Sequence, residues 1–301
     1  MYYSNAIEKI TVDSKAVKRI IEPGYRPRDV TDVKIIGYSK ALTMMLDLAD
    51  SKERLTPDML SSVQNTMLRE YDPNSARYRT VNRSHEGYGT MSAVKKPAGV
   101  DDIAPSLDAL CADVEVSLID EYIEPLLLIP VAISAFQQIS PYEHGNGRMY
   151  RLILEYLMIR SGLDFVRYVS LDKQLFMDRK AHITAIYDMM RRKEQGINDP
   201  VPLIETFVSE AYAAAADLNL MFLPPSVNKV NKSERIRHVA LGQNDEFTKS
   251  GLIDYLPGVS QTMIQQELSA MVKEGLLIRT GATKNSRYRP ASDREGEWTE
   301  P

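Results

Sequence analysis

Apolar positions recur at helical spacing along most of the chain. In the first segment Ile7, Ile10, Val17, Ile20 and Ile21 fall on one side, and Ser4, Asn5 and Glu8 offer a capping-type start. The pattern predicts a helix over residues 1–22, broken by Pro23-Gly24-Tyr25-Arg26-Pro27. A second helix is predicted over 30–49. Thr56-Pro57 reads as an N-cap followed by a first-turn proline, opening a helix to about residue 70. Residues 71–99 break the helical pattern. Arg77-Tyr78-Arg79-Thr80-Val81 is a β-type run and Glu86-Gly87-Tyr88-Gly89 a turn, which together predict a short irregular hairpin. Helical periodicity then returns over 103–119, 123–139, 148–161, 171–192 and 200–220.

Leu223-Pro224-Pro225-Ser226 reads as a linker, and the pattern changes after it. Helices are predicted over 233–241 and 248–256, Pro257-Gly258 is a turn, and Ser260 caps a third helix ending at Gly275. Residues 276–280 and 286–289 then form a two-stranded ribbon. Helix, helix, turn, helix, ribbon is the order of a winged helix-turn-helix. The expected organisation is a mostly α chain. Residues 1–222 form a helical domain carrying a small hairpin, 223–227 a linker, 228–290 a winged-helix domain, and 291–301 a disordered polar tail.

Composition narrows the classes. With 301 residues, 44% hydrophobic and 26% charged, the chain is ordinary for a soluble globular protein. Its net charge of −4 argues against a protein that mainly coats nucleic acid, though not against a local basic patch. Cys111 is the single cysteine, so there is no internal disulfide and no cysteine-based zinc site. The four histidines are too scattered for a metal signature. The opening residues lack a leader pattern, and no stretch approaches 18 uninterrupted apolar residues. The expectation is a cytoplasmic protein with no membrane partner.

The stretch with the most chemistry is Ser140-Pro-Tyr-Glu-His-Gly-Asn-Gly-Arg-Met-Tyr-Arg151. Gly145 and Gly147 are expected to supply positive φ and close backbone approach, and Asn146 between them tolerates a left-handed conformation. A glycine-rich turn at a helix start offers free N–H groups and a positive dipole end to an anion. Arg148 and Arg151, three apart, add guanidinium forks matched to phosphate. The residues therefore read as a phosphate or nucleotide cradle. The plainer alternative is a loop and helix with two surface arginines.

This stretch resembles the active-site motif of the Fic family, His-x-Phe-x-(Asp/Glu)-Gly-Asn-Gly-Arg-x-x-Arg. Most members are protein adenylyltransferases, which move AMP from ATP to a hydroxyl of a target protein. The resemblance covers roughly residues 1–220 and implies a Fic-type helical core. It assigns Gly145, Asn146 and Gly147 to the anion hole, and Arg148 and Arg151 to the outer phosphates. The first half of the motif departs from the pattern. Ser140 stands where the family has its histidine base, Tyr142 where it has phenylalanine, and His144 where it has its acidic magnesium ligand. An unactivated serine hydroxyl is no base near neutral pH, and imidazole suits Mg2+ poorly. His144, close to a helix N-terminus, is the candidate substitute base. Glu143 is the candidate metal ligand, or there is none. The resemblance thus implies ATP binding with adenylylation weak, altered or lost.

Two further parts follow the family. Ser4-Asn-Ala-Ile-Glu8 matches its inhibitory pattern (Ser/Thr)-x-x-x-Glu-(Gly/Asn), with Lys9 at the last place. There Glu8 is expected to pair with Arg151. The hairpin of Arg77, Tyr78 and Arg79, with Arg83 and His85, resembles the flap that positions an unknown target protein by strand addition. The C-terminal part resembles the winged helix that some bacterial members append. A DNA reader needs base-edge donors on its third helix; Gln261 and Gln265 are candidates, with Lys284 and Arg287 on a basic wing. Residues 226–290 hold ten Lys or Arg against six Asp or Glu, which fits DNA contact and fits protein contact or a homodimer equally. A DNA-binding regulator with the Fic domain as sensor is the alternative function.

Overall fold

A computed structural model describes residues 1–10, 12–82, 97–120, 123–222, 232–243, 246–253, 255–256, 259–281 and 286–291. The chain divides into two compact units, Met1–Leu218 and Asn219–Pro301. The expected turn at 86–89, Arg83, His85, Lys284, the linker and all but the first residue of the tail lie outside the described residues.

The larger unit is helical. Its elements are α1 (Tyr2–Ile7), α2 (Ser14–Ile20), α3 (Val30–Asp50), α4 (Pro57–Leu68), α5 (Ile103–Asp120), α6 (Pro125–Ile139), α7 (Asn146–Arg160), α8 (Leu171–Met177), α9 (Arg179–Glu194) and α10 (Val201–Phe222). Capping chemistry sets several starts. Asp13 accepts from the Ala16 N–H at 2.7 Å, Asp29 from Asp32 at 2.9 Å and Thr56 from Met59 at 3.1 Å. The centre is α7. Eleven of its fifteen residues are buried, so it is enclosed on all sides rather than amphipathic. It packs on α3 and α6, with Phe136, Tyr142, Leu152 and Tyr156 fully buried around it.

The expected single helix over 1–22 is two. Lys9 adopts φ +59°, the Ile10 N–H bonds the Asn5 carbonyl at 3.0 Å, and the Lys9 N–H bonds Ala6 at 3.0 Å. This is a Schellman closure with Lys9 at the left-handed position, where glycine or asparagine is favoured. Replacing Lys9 by glycine is expected to stabilise the unit by about 1 kcal/mol, read as a higher urea midpoint. The expected helix 171–192 also divides, at Asp178 (φ −111°, ψ 31°).

Among the described residues 77–81 pair with no second strand of a hairpin; the expected return strand lies outside the described residues. Tyr78 instead makes one antiparallel bridge with Tyr142, and the Arg79 N–H bonds the Pro141 carbonyl at 2.9 Å.

The smaller unit contains α11 (Lys232–Leu241), β1 (Phe247–Thr248), α12 (Lys249–Ile253), α13 (Gln261–Lys273), β2 (Leu277–Thr280) and β3 (Arg287–Pro290). The ribbon gains a third strand: the order is β1-β3-β2, antiparallel throughout, with Phe247 opposite Tyr288. The second helix accordingly starts one residue later than expected, because Thr248 is drawn into the sheet. Ile236, Leu252, Ile264, Leu268 and Tyr288 are buried in this unit. No helix among the described residues is long and apolar enough to cross a membrane.

Candidate functional site

The loop between α6 and α7 is held by local bonds. Ser140 ends α6 in a left-handed conformation, φ 44° and ψ 64°. It is buried, and its Oγ donates to the Gln137 carbonyl at 2.6 Å. The hydroxyl proton is therefore committed to the backbone of the preceding turn. Asn146 closes the loop like a staple. Its Oδ1 accepts from the Tyr142 N–H at 3.0 Å and its Nδ2 donates to the Tyr142 carbonyl at 2.6 Å. Gln64 of α4 donates to the His144 carbonyl at 2.8 Å.

The glycines divide the work differently from the sequence expectation. Gly145 has φ +82°, and a Cβ there would lie 2.9 Å from Leu68 Cδ1. Asn146 is not left-handed but the first residue of α7. Gly147 is helical, and its contribution is space. A Cβ at Gly147 would lie 3.1 Å from Glu8 Oε1 and 3.7 Å from Arg151 Nη1. The missing side chain is what lets Glu8 reach the start of α7.

The two arginines of the motif differ sharply. Each is 5% exposed. Arg151 is tied to α1: Nε donates to Ser4 Oγ at 2.7 Å, and Nη2 to the Ser4 carbonyl at 3.2 Å and to Glu8 Oε1 at 2.8 Å. Asp172 lies 3.9 Å away. Burial opposes its charge, yet Glu8 and Asp172 outweigh burial and hold its pKa above the usual value. Arg148 has no hydrogen bond or ion pair among the described residues. Burial lowers its pKa, with Glu8 acting in the opposite direction. A desolvated cation with no bonded partner, at the N-terminal turn of a helix, is a place for an anion.

Ser4, Glu8 and Arg151 are thus brought together across 147 positions of sequence. A further contact was not legible in the sequence. Arg179, the first residue of α9, donates from Nη2 to the Ile7 carbonyl at 3.1 Å. It holds the end of α1 that carries Glu8. Beneath α1 is a cavity of about 140 Å3 whose walls include Ile7, Glu8, Gly147, Arg151, Tyr150 and His182. Behind it a buried chain of polar groups runs between helices. His182 Nδ1 donates to the Glu210 carboxylate at 3.0 Å, and its Nε2 shares a hydrogen bond with Tyr150 Oη at 2.8 Å. Burial pushes the Tyr150 phenol well above its ordinary pKa. Another unforeseen group is Glu155, four residues after Arg151; burial, and then Asp172, raise it to about 7.

Glu143 and His144 face elsewhere. They border an open groove with Tyr71, Arg77, Tyr78 and Arg79. His144 and Arg77 are exposed and Glu143 is half-buried. Arg79 is a correction to the expected basic flap: it is 3% exposed, and its guanidinium bonds the carbonyls of Ser140, Ile139, Val81 and Ala98. It braces the loop and does not face outward to a target. No group of three or more His, Cys, Asp or Glu suited to a metal occurs among the described residues. Cys111 is buried, and burial pushes its thiol up to about 12, in keeping with an inert core residue.

In the smaller unit Gln261 is exposed on α13. Gln265 is turned toward its own fold, donating to Ser269 at 3.4 Å and Tyr288 Oη at 3.5 Å. Arg287 lies 3.8 Å from Glu246.

No protein-family model and no curated protein matches the chain. Solved structures do. A Fic family protein from Desulfovibrio desulfuricans G20 aligns with a TM-score of 0.58 at 17% identity, over 98% of this chain and 86% of that one. Fic-1 (aa134–508) from C. elegans aligns with a TM-score of 0.56 at 19% identity, over 73% of this chain and 62% of that one. With its helical core centred on α7 and the Gly-Asn-Gly-Arg loop at the start of that helix, this chain has the Fic fold.

Proposed function

We propose that the larger unit binds a nucleoside polyphosphate at residues 145–151, is held in a latched state by α1, and has little ordinary adenylyl-transfer activity. The observation that carries this reading is Arg148, buried and without a bonded partner among the described residues, beside an Arg151 already bonded to Ser4 and Glu8. The N-terminal N–H groups of α7 and Arg148 would take phosphate oxygens. The outermost phosphate would need Arg151, which Glu8 now occupies.

In adenylyl transfer, a target hydroxyl oxygen forms a bond to the α-phosphorus while the α–β bridging bond breaks and pyrophosphate leaves. The hydroxyl proton must pass to a base. Ser140 is unsuited to receive it, because its own proton is held by the Gln137 carbonyl and it has no usable basicity. His144, exposed on the outer groove, is the remaining imidazole on the loop. One carboxylate together with substrate phosphates and water is a usual magnesium set, so Glu143 is the residue that would hold the ion. When bound, magnesium would neutralise charge developing on the phosphates.

Thermal unfolding with ATP and with AMP at millimolar concentration tests the binding step. ATP is expected to raise the melting temperature. Arg148→Met is expected to raise the melting temperature of the free protein, by removing a buried cation that has no bonded partner among the described residues, and to abolish the ATP-induced rise. An ATP shift unchanged in Arg148→Met would show that the nucleotide sits elsewhere.

A further inference from the structure

Residues 97–139 contain eight Asp or Glu and neither Lys nor Arg. The chain as a whole is −4 and this stretch is −8, so the remainder is +4. The stretch includes α5 and α6. Glu115 is buried and paired with Arg160. Asp101, Asp102, Asp108, Asp113, Asp120 and Glu124 are all exposed. Together they give α5, α6 and the segments beside them a net negative charge, and Asp102 and Asp113 border a groove between the two helices.

That region is not simply polar. The groove lies between α5 and α6, with Asp102, Ser106, Ala109, Leu110 and Asp113 on one wall and Ala135 and Gln138 on the other; Lys193 of α9 reaches it as its one cation among the described residues, against the two carboxylates. The stripes continue at helical spacing beyond it. On α5, Val116 and Ile119 follow Asp113; on α6, Leu127 and Val131 precede Ala135 by two turns and one. These four side chains are 57%, 66%, 45% and 36% exposed. Small residues at one end allow close backbone approach, and large apolar residues at the other offer area. Two neighbouring helices with such stripes present a ridge-and-groove surface suited to a third helix.

We infer that the α5–α6 groove docks an amphipathic helix of a partner protein, whose apolar stripe is flanked by Lys or Arg. Charge selects this occupant. A second copy would meet the groove through the same surface, setting carboxylate rim against carboxylate rim. The chain's own last ten residues carry four Asp or Glu and one Arg, so they too have the wrong sign. The docking face reaches the catalytic-loop region. At its small-residue end the Ala98 N–H bonds the Gln138 carbonyl at 3.1 Å, and the Ala98 carbonyl accepts from Arg79, which also holds Ser140.

The test uses the full chain and a fluorescent peptide of about 18 residues, five helical turns, with leucines in one stripe and lysines around it. Fluorescence anisotropy is expected to show saturable binding that weakens with added salt. The same composition in scrambled order, or glutamate in place of lysine, is expected to bind at least about tenfold more weakly. The double variant Leu127→Asp, Val131→Asp is expected to weaken binding by about tenfold or more. Asp102→Asn with Asp113→Asn is expected to weaken it about threefold and to flatten the salt dependence. All four side chains are exposed, and circular dichroism checks that the variants fold. The inference is overturned if the peptide fails to bind, if the scrambled peptide binds as well, or if the variants leave binding unchanged. Sedimentation showing a dimer that Leu127→Asp dissolves would assign the groove to a second copy and overturn it equally.

Discussion

Replacing Arg79 by alanine is expected to destabilise the larger unit by roughly 3–5 kcal/mol in equilibrium urea unfolding. The guanidinium is 3% exposed and gathers four main-chain carbonyls. Nε bonds Ser140 at 2.9 Å, Nη1 bonds Val81 at 3.1 Å, and Nη2 bonds Ile139 at 3.3 Å and also Ala98. Two of these acceptors are the last carbonyls of α6, which have no partner within the helix. Alanine would leave the carbonyls without their charged donor and open a space where the side chain lay. Bonds from a charged donor contribute about 1.5–3 kcal/mol each, and they are not additive around one group. Lysine is expected to recover less than half of the loss, because one ammonium cannot reproduce a planar fork aimed at carbonyls from three segments. A loss below about 1 kcal/mol for Arg79→Ala would mean that water replaces the fork, and would remove Arg79 as the brace of the loop.

The second large effect concerns chemistry. With ATP labelled at the α-phosphate, the protein and its Glu8→Gly variant are expected to incorporate only background label. Ser140→His combined with Glu8→Gly is expected to raise incorporation by about 10²–10⁴-fold, the usual contribution of a positioned general base. Both changes are needed for different reasons. Glycine at position 8 removes the carboxylate from Arg151, freeing that guanidinium for phosphate. Histidine at position 140 supplies a group that can accept the target proton. The backbone there is left-handed, a conformation in which histidine is enriched among non-glycine residues. Ser140→His alone is expected to gain less, because Arg151 stays latched. Strong labelling by Glu8→Gly alone would show that the chain retains a working base; loss of that labelling in Glu8→Gly, His144→Ala would then identify His144.

Much of this protein was legible from local pattern. Helical spacing of apolar residues marked most helices, and Thr56-Pro57 and Ser260 marked two of their starts, because caps act within three residues of themselves. Gly145 and the run to Arg151 marked a loop entering a helix, since positive φ and anion-facing N–H groups are local properties. Pattern failed where a local device competed with periodicity. Lys9 turns left-handed within an apparently continuous helix, and Asp178 splits another. Over 77–81 the β-type residues bond to the loop at Pro141 and Tyr142, a distant partner that local pattern does not mark, and the rest of the expected hairpin lies outside the described residues.

The sequence by itself determined the helical character, the change of pattern after residue 222, and the residue types offered by the loop from Ser140 to Arg151. The tertiary structure decided what those residues do. It left Arg148 without a bonded partner among the described residues and tied Arg151 to Ser4 and Glu8, though both sit on one motif three residues apart. It buried Arg79 against carbonyls up to 61 positions away, set Arg179 on α1 across 172 positions, and joined Tyr150, His182 and Glu210 from three helices. It also laid the cation-free stretch 97–139 along two neighbouring helices, so that Asp102 and Asp113 border one groove, with Lys193 brought to it from α9. The reason is one of range. Periodicity and capping are imposed by backbone geometry over a few residues. Burial and ionic pairing of a side chain depend on which distant segments the core brings against it, and distant partners leave no periodic trace in the chain.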